Sequence, residues 1–345
     1  MAYENLRFNP EKKSVIHPII KERLKKQGYQ LYGKQVAVKK CLWTHKYLKE
    51  EQYCYKNAYG IESHRCIQAT PTLLCTHQCT FCWRLQEKDV GLKPVWNVPD
   101  SEFDSPEEVY KGLLWGWKRA ISGYKPIVPK ELFDQAMDPQ HVALSLAGEP
   151  TLYPFLTELF ELLHAKGLST FLVSNGTMPE SISKMITTGV RPTQLYITIP
   201  APNKKDYLHV CKPIIQNGWD RLNKSLELLG KLGGRTVTRL TMAKELNMKN
   251  PVEYVALIKK AHPAFIEIKG YVHVGFSQYR VTRGNMPFHE EIRAFANKIL
   301  EGLPEYKLVY EMEDSKVVIL SNDKQPLKID FQKIGKKEEE LTKKS

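Results

Sequence analysis

Cys75, Cys79 and Cys82 stand in the run Cys75-Thr76-His77-Gln78-Cys79-Thr80-Phe81-Cys82, so one tight loop offers three thiolates at C-x3-C-x2-C spacing. A cubane 4Fe-4S cluster held by three thiolates keeps one iron without a protein ligand, and a small chelating molecule can bind and be reduced there. Zinc more commonly takes paired C-x2-C knuckles a dozen or more residues apart, and no second knuckle follows. Upstream, Cys41, Cys54 and Cys66 are separated by twelve and eleven residues. Even spacing without pairs again disfavours a zinc ribbon, and a trio short of one ligand again implies a cluster with an open iron. Lys39, Lys40, Lys49 and Lys56 crowd these three and are expected to favour thiolates over inert buried thiols. Cys211 has no such neighbours and reads as a structural thiol.

Polar residues recur where apolar runs end. Ala147-Gly148-Glu149-Pro150 follows Val142-Ala143-Leu144-Ser145-Leu146, and a glycine there lets backbone approach a ligand closely. Ser174 and Asn175 repeat the pattern after Leu172-Val173, although an Asn-Gly pair also makes an ordinary turn. Thr198 closes the next run. Arg239, inside an otherwise apolar stretch, must face an anion or solvent. Lys269, Tyr271 and His273 alternate, so a strand would point them to one face, either a lumen or water.

These residues need strands to carry them. Short β-forming runs alternate with helical patterns from Cys66 onward, predicting strands over Ile67 to Leu74, His141 to Ala147, Ser169 to Ser174, Gln194 to Ile199, Arg235 to Met242 and Phe265 to Val274. Six βα units make an α/β fold, a partial (β/α)6 TIM-like barrel, with function at the carboxyl ends of the strands. Ser105-Pro106-Glu107-Glu108 predicts a capped helix start. Phe155 to Leu163, then Leu222, Leu226 and Leu229 stopped by Gly230, then Val252, Val255 and Ile258 predict helix faces packed on the sheet. The stretch from Arg84 to Gln140 is too long for a simple crossover, so it holds helix and a loop expected over the site. Tyr306 to Met312 and Lys316 to Leu320 read as a hairpin, and Lys336 to Ser345 as a charged tail expected to fray. The predicted division is a basic extension over 1–65, a barrel over 66–285, and a helix, hairpin and tail over 286–345.

The 345 residues are 42% hydrophobic and 26% charged, enough for a substantial core. Seven cysteines, no secretory leader and no apolar run able to span a bilayer argue against a disulfide framework and a membrane, and for the reducing cytoplasm. The net charge is +13, and Glu11 to Glu50 holds eleven basic against three acidic side chains. Tyr29, Tyr32, Trp43, Tyr47, Tyr53 and Tyr55 interleave with them, the combination used for unstacked RNA bases. Ile19 to Lys26 reads equally as an amphipathic surface helix.

The cysteine triad ending in Cys82-Trp83-Arg84, with Ala147-Gly148-Glu149-Pro150 and Val173-Ser174-Asn175-Gly176, resembles the radical S-adenosylmethionine (SAM) superfamily. Adding the basic arm, the upstream cysteines, Ile268-Lys269-Gly270-Tyr271 and Asn285-Met286-Pro287-Phe288-His289-Glu290-Glu291, the chain is similar over about residues 30 to 300 to the archaeal tRNA 4-demethylwyosine synthase family. The resemblance implies two 4Fe-4S clusters, the first on Cys75, Cys79 and Cys82 and binding SAM, the second on Cys41, Cys54 and Cys66. By the superfamily resemblance Phe81 stands beside the adenine and Ala147, Gly148 and Glu149 beside the methionine part of SAM, with Ser174, Asn175, Thr198 and Arg239 as further candidates for its polar groups. Lys269, Tyr271 and His273 could meet the substrate if their face is the lumen, and the resemblance suggests a substrate contact in the segment from Asn285.

The implied reaction is on tRNA-Phe: a 5'-deoxyadenosyl radical takes hydrogen from the methyl of N1-methylguanosine beside the anticodon. The carbon radical attacks pyruvate, the pyruvate carboxyl carbon is lost, and ring closure makes the enzyme formally a lyase. Lys56 matches the lysine proposed in the family to hold pyruvate as a Schiff base, its cationic surroundings favouring a free amine. The competing family proposal has pyruvate chelate the second cluster, with Lys56 steadying its carboxylate. Nothing in the chain reads as a flavodoxin domain, so an external electron donor is implied, and a monomer is expected. The alternatives are another radical SAM enzyme acting on RNA or on a glycyl-radical protein, and an iron-sulfur or zinc RNA-binding module.

Overall fold

A computed structural model describes residues 15–50 and 52–334. The charged tail from Lys336, and Lys12 and Lys13 of the basic arm, lie outside the described residues.

Among the described residues, ten strands form one sheet: β1 (Gln30–Tyr32), β2 (Val36–Val38), β3 (Cys66–Thr70), β4 (His141–Leu144), β5 (Ser169–Ser174), β6 (Gln194–Thr198), β7 (Thr236–Met242), β8 (Phe265–Gly270), β9 (Lys307–Met312) and β10 (Val317–Ser321). Their order is β1-β2-β3-β4-β5-β6-β7-β8-β10-β9. The six strands β3 to β8 are parallel and neighbour one another in chain order, the arrangement of an open (β/α)6 barrel. Both edges are extended antiparallel: β2 pairs with β3, and the predicted hairpin β9–β10 zips onto β8. Barrel edges that would otherwise offer unpaired backbone are thereby covered, and strands of all three predicted segments share one sheet.

Helices cover the outer face. Ser105 caps the helix Pro106–Ile121 by accepting from Glu108 N, with proline at its first position, as the sequence predicts. The leucine helix runs Gly218–Leu232 and ends at Gly233, not at Gly230. Gly230 lies inside the helix at a close approach, where a Cβ would lie 3.2 Å from Ala261 O of the neighbouring helix. In that neighbour, Pro251–Ala261, Val255 and Ile258 are buried while Val252 is 78% exposed, so the third member of the expected face points to water.

Strand β8 stops four residues earlier than predicted. Gly270 N donates to Lys316 O and Tyr271 N to Met242 O, both at 2.7 Å, and the chain then turns into a 3-10 segment, Gly275–Tyr279. His273 therefore lies beyond the strand and does not continue the alternation begun by Lys269.

The basic arm is more structural than its composition suggests. Tyr29, Tyr32 and Tyr55 are core residues, and Tyr47 stacks on His64 with ring centroids 4.5 Å apart. Lys39 lies over the rings of Tyr29 and Trp83, and Lys40 over Tyr124. Tyr53 remains exposed. Among the described residues, no helix is long and apolar enough to cross a membrane.

Candidate active site

A cavity of about 970 Å³ opens at the carboxyl ends of the parallel strands and is lined by both cysteine triads. The predicted loop after Arg84 contributes Leu85, Gln86, Leu92 and Lys93 to its wall.

The loop of Cys75, Cys79 and Cys82 is held as an added strand-like edge. Gln78 N donates to Cys211 O at 3.0 Å, Thr80 N to Val210 O at 2.8 Å and Ile214 N to Thr76 O at 2.9 Å. Gly148 has φ +68°, and a Cβ there would lie 2.4 Å from Thr72 O and 2.6 Å from Leu74 O. Only glycine allows that approach, and what it approaches is the chain leading into the cysteine loop; Glu149 N then donates to Leu74 O at 2.7 Å. Cys211 is not isolated: its side chain hydrogen-bonds with that of Cys79, which with burial pushes the Cys79 thiol up. His77, Cys79 and Cys211 offer ligand atoms within 4.8 Å of one another. Burial likewise raises the Cys75 thiol, helped by Cys79 and Glu149.

Glu149 is buried, and burial raises its carboxyl although its oxygens are met by protein donors. Oε1 accepts from Thr151 N at 3.1 Å and Thr151 Oγ1 at 2.5 Å, and Oε2 from Asn175 N at 2.6 Å. Glu149 thus ties the end of β4 to the end of β5. Asn175 passes the link on, its Nδ2 donating to Thr76 Oγ1 at 2.9 Å and standing 4.0 Å from Cys75 Sγ. Ser174 Oγ accepts from Gly176 N at 2.9 Å. Ala147, Gly148, Glu149, Ser174, Asn175, Thr198 and Phe81 all border the cavity.

The second triad is gathered from three elements. Cys41 precedes the helix Leu42–Glu50, and its Sγ accepts from Thr44 N at 3.3 Å. Cys54 leads into the 3-10 turn Tyr55–Tyr59, with Ser63 Oγ accepting from its N at 2.8 Å, and Cys66 opens β3. The expectation that lysines hold these as thiolates is overturned for two of them. Burial outweighs Lys56 at both, and Lys269 as well at Cys54, pushing Cys54 up to about 11 and Cys66 to about 12. Such thiols become thiolates when a metal replaces the proton. At the first triad, three sulfurs with glycine clearance and the Asn175 amide beside them are a donor set that fits an iron-sulfur cluster; at the second, three sulfurs on the same cavity wall are a donor set of the same kind.

The cavity floor holds Lys56, Lys269 and Arg239. Of the two settings the sequence left open for Arg239, an anion or solvent, the structure has the anion, and in place of the expected cofactor carboxylate it is the chain's own Glu267, Cα partner to it across the β7–β8 ladder. They pair at 2.7 Å with Glu267 fully buried. Burial alone would raise the Glu267 carboxyl, but Arg239 and Lys56 hold it below the usual range. Tyr55 and Tyr59 also donate to it, at 3.0 and 2.9 Å. Lys56 Nζ lies 5.2 Å from the Phe171 ring centroid and 5.4 Å from that of Tyr196. Lys269 Nζ lies 4.7 Å above Tyr55, and burial pulls it down to about 8.

Two predicted substrate residues do not border the cavity. His273 Nε2 is 3.0 Å from Val281 O. Asn285 caps a turn, its Oδ1 accepting from Thr282 N and Oγ1 at 2.9 Å and its Nδ2 donating to Lys244 O at 2.8 Å. Tyr271 does border it, with its hydroxyl 2.8 Å from Ser277 Oγ. Sequence reasoning missed Glu267, whose signal was an acid in one buried strand matching a base in the next. It also assigned no role to Arg84, which donates to the carbonyls of Ser145 and Leu146 beneath the Gly148 turn.

Comparison with known proteins fits this geometry. The radical SAM superfamily profile matches residues 70–258, and that of wyosine base formation matches 260–322. The SAM-dependent tRNA 4-demethylwyosine synthase of Pyrococcus abyssi is 44% identical over 303 residues, 87% of each chain. That of Methanocaldococcus jannaschii is 40% identical over 305 residues, covering 87% of this chain and 94% of the relative. A Mus musculus relative is 38% identical over 92% of this chain, which spans 44% of that longer protein. A solved structure of TYW1 with a lysine-pyruvate adduct bound superposes with a TM-score of 0.79 at 38% identity, covering 92% of this chain and 99% of that one. A crystal structure of archaeal TYW1 gives 0.74 at 35% identity, covering 91% and 100%.

Proposed function

The chain belongs to the tRNA 4-demethylwyosine synthase family of the radical SAM superfamily, and from that premise we propose that it condenses pyruvate with N1-methylguanosine at position 37 of tRNA-Phe. The observation that carries the reading is that both cysteine triads and Lys56 border one cavity. A superfamily-type enzyme without a second centre has no use for Cys41, Cys54 and Cys66 in that wall.

Bound at a 4Fe-4S cluster, SAM supplies a 5'-deoxyadenosyl radical, the oxidant for the N1-methyl group. Cys75, Cys79 and Cys82 hold that cluster. The Glu149–Asn175 link fixes the strand ends against which the cofactor lies, with Gly148, Ser174 and Thr198 presenting backbone and hydroxyls to it. Cys41, Cys54 and Cys66 hold the second cluster. Lys56 Nζ holds pyruvate covalently, a role supported by the lysine-pyruvate adduct in the structurally similar TYW1. Phe171 and Tyr196 place aromatic faces beside the Lys56 nitrogen, and Arg239, anchored by Glu267, adds a cation to the floor for the substrate carboxylate. The methyl-derived carbon radical bonds to the pyruvate carbonyl carbon held on Lys56, the C1–C2 bond breaks so that the carboxyl departs with the unpaired electron, and the guanine exocyclic amine displaces Lys56 Nζ to close the ring. The reading places the enzyme in the cytoplasm, acting as a monomer with an external electron donor.

The test is anaerobic incubation of reconstituted protein with N1-methylguanosine-containing tRNA-Phe, pyruvate, SAM and dithionite, followed by nucleoside mass analysis. The tricyclic 4-demethylwyosine nucleoside is expected. Its absence while SAM is cleaved would leave a radical SAM enzyme with another substrate.

A further inference from the structure

The segment after β8 docks onto the backbone of the cysteine loop. Gly275 has φ +60°, and a Cβ there would lie 2.3 Å from Trp83 O; Phe276 N donates to that same oxygen at 2.9 Å. Arg280, five residues on, spreads its guanidinium over the flanking carbonyls. Nε donates to Thr80 O at 3.3 Å, and one terminal nitrogen donates both to Cys82 O and, at 3.3 Å, to Arg84 O. The other terminal nitrogen meets both oxygens of Asp89, at 2.6 and 2.7 Å. Arg280 and Asp89 are about nine-tenths buried, with side-chain exposures of 10% and 12%. Gln86 Nε2 donates to Cys79 O at 2.9 Å and Lys88 Nζ to Gln78 O at 3.2 Å. The peptide that carries Cys79 and Cys82 is therefore held by its carbonyls from outside, with Arg280 taking three of them.

We infer that Arg280 is a positioning residue of the radical-generating centre: it fixes the Thr80–Arg84 backbone and, as a buried cation against Cys82, sets the reduction potential of the cluster there, with Asp89 as the opposing charge. Reduction adds an electron to an already anionic group. A permanent cation held against the Cys82 peptide in a low-dielectric wall stabilises the reduced form, and a carboxylate opposes it. The inference rests on the reading that Cys75, Cys79 and Cys82 hold this cluster.

The sign of the charge effect separates it from simple scaffolding. In anaerobically reconstituted holoenzyme, the potential is read from the reduced-cluster electron paramagnetic resonance signal that responds to added SAM. Arg280→Gln is expected to shift that potential to more negative values, Asp89→Asn to more positive values, and Arg280→Lys to leave it at the wild-type value. Opposite shifts support the inference; unmoved potentials, or shifts of one sign in both neutral variants, overturn it. If Arg280→Gln fails to retain iron, the direction in Asp89→Asn decides. Absence of any SAM-responsive signal in the wild type would instead sink the underlying cluster reading.

Discussion

The Arg239 guanidinium donates to one oxygen of Glu267, Oε2, from Nε at 3.0 Å and from a terminal nitrogen at 2.7 Å, while Tyr55 OH donates to the same oxygen at 3.0 Å. Tyr59 OH takes Oε1 at 2.9 Å. Tyr55 and Tyr59 are the two ends of the short turn that carries Lys56. One buried carboxylate therefore locks both the cation of the cavity floor and the turn that presents the amine.

Glu267→Gln keeps the shape and removes the charge, leaving Arg239 buried without its anion. Breaking such a pair costs on the order of 3 kcal/mol. We expect a lower melting temperature and weaker pyruvate capture at Lys56. An unchanged melting temperature would mean that Arg239 finds another anion.

Iron content separates the two triads. About eight irons per chain are expected after anaerobic reconstitution, and about four in Cys54→Ala. Cys79→Ala should abolish SAM cleavage, whereas Cys54→Ala should keep cleavage and lose the tricyclic product. Equal loss of both activities in Cys54→Ala, with the first cluster intact, would contradict the division of labour.

Lys56 and Lys269 are the two amines of the cavity floor, and borohydride reduction distinguishes them. With pyruvate present, the reduced adduct should appear on Lys56 by peptide mass analysis, persist there in Lys269→Ala, and vanish in Lys56→Ala. Lys269, pulled down to about 8 by burial, is the competing nucleophile. Label on Lys269 in the wild-type protein would reassign the role.

His77 and His141 are both held to about 3 by burial, against about 6.5 in the unfolded chain. Between those values the unfolded chain binds protons that the fold excludes. Their contribution is therefore complete above pH 6.5 and falls as pH drops, by about 1.4 kcal/mol per pH unit for each histidine. Melting temperature should decline steeply from pH 6.5 to pH 4.5, and His141→Gln should flatten the decline. An equally steep curve in that variant would refute the assignment.

The sequence by itself determined what lies within one loop or one strand end. The spacing of Cys75, Cys79 and Cys82, the glycine of the Gly148-Glu149 turn and the succession of βα units are local features, set by covalent distance and backbone geometry. They led to the parallel order of β3 to β8 and to the face on which the site lies. His273 lies away from the cavity because the alternation it was read from depends on where β8 ends, and that is decided by the pairing of a hairpin far along the chain. Only the tertiary structure could bring Cys41, Cys54 and Cys66 to the same wall as the first triad, set Cys211 beside Cys79, and place Glu267 under Arg239. Those relationships are fixed by strand register and by the desolvation of groups far apart in the chain, which no local pattern encodes.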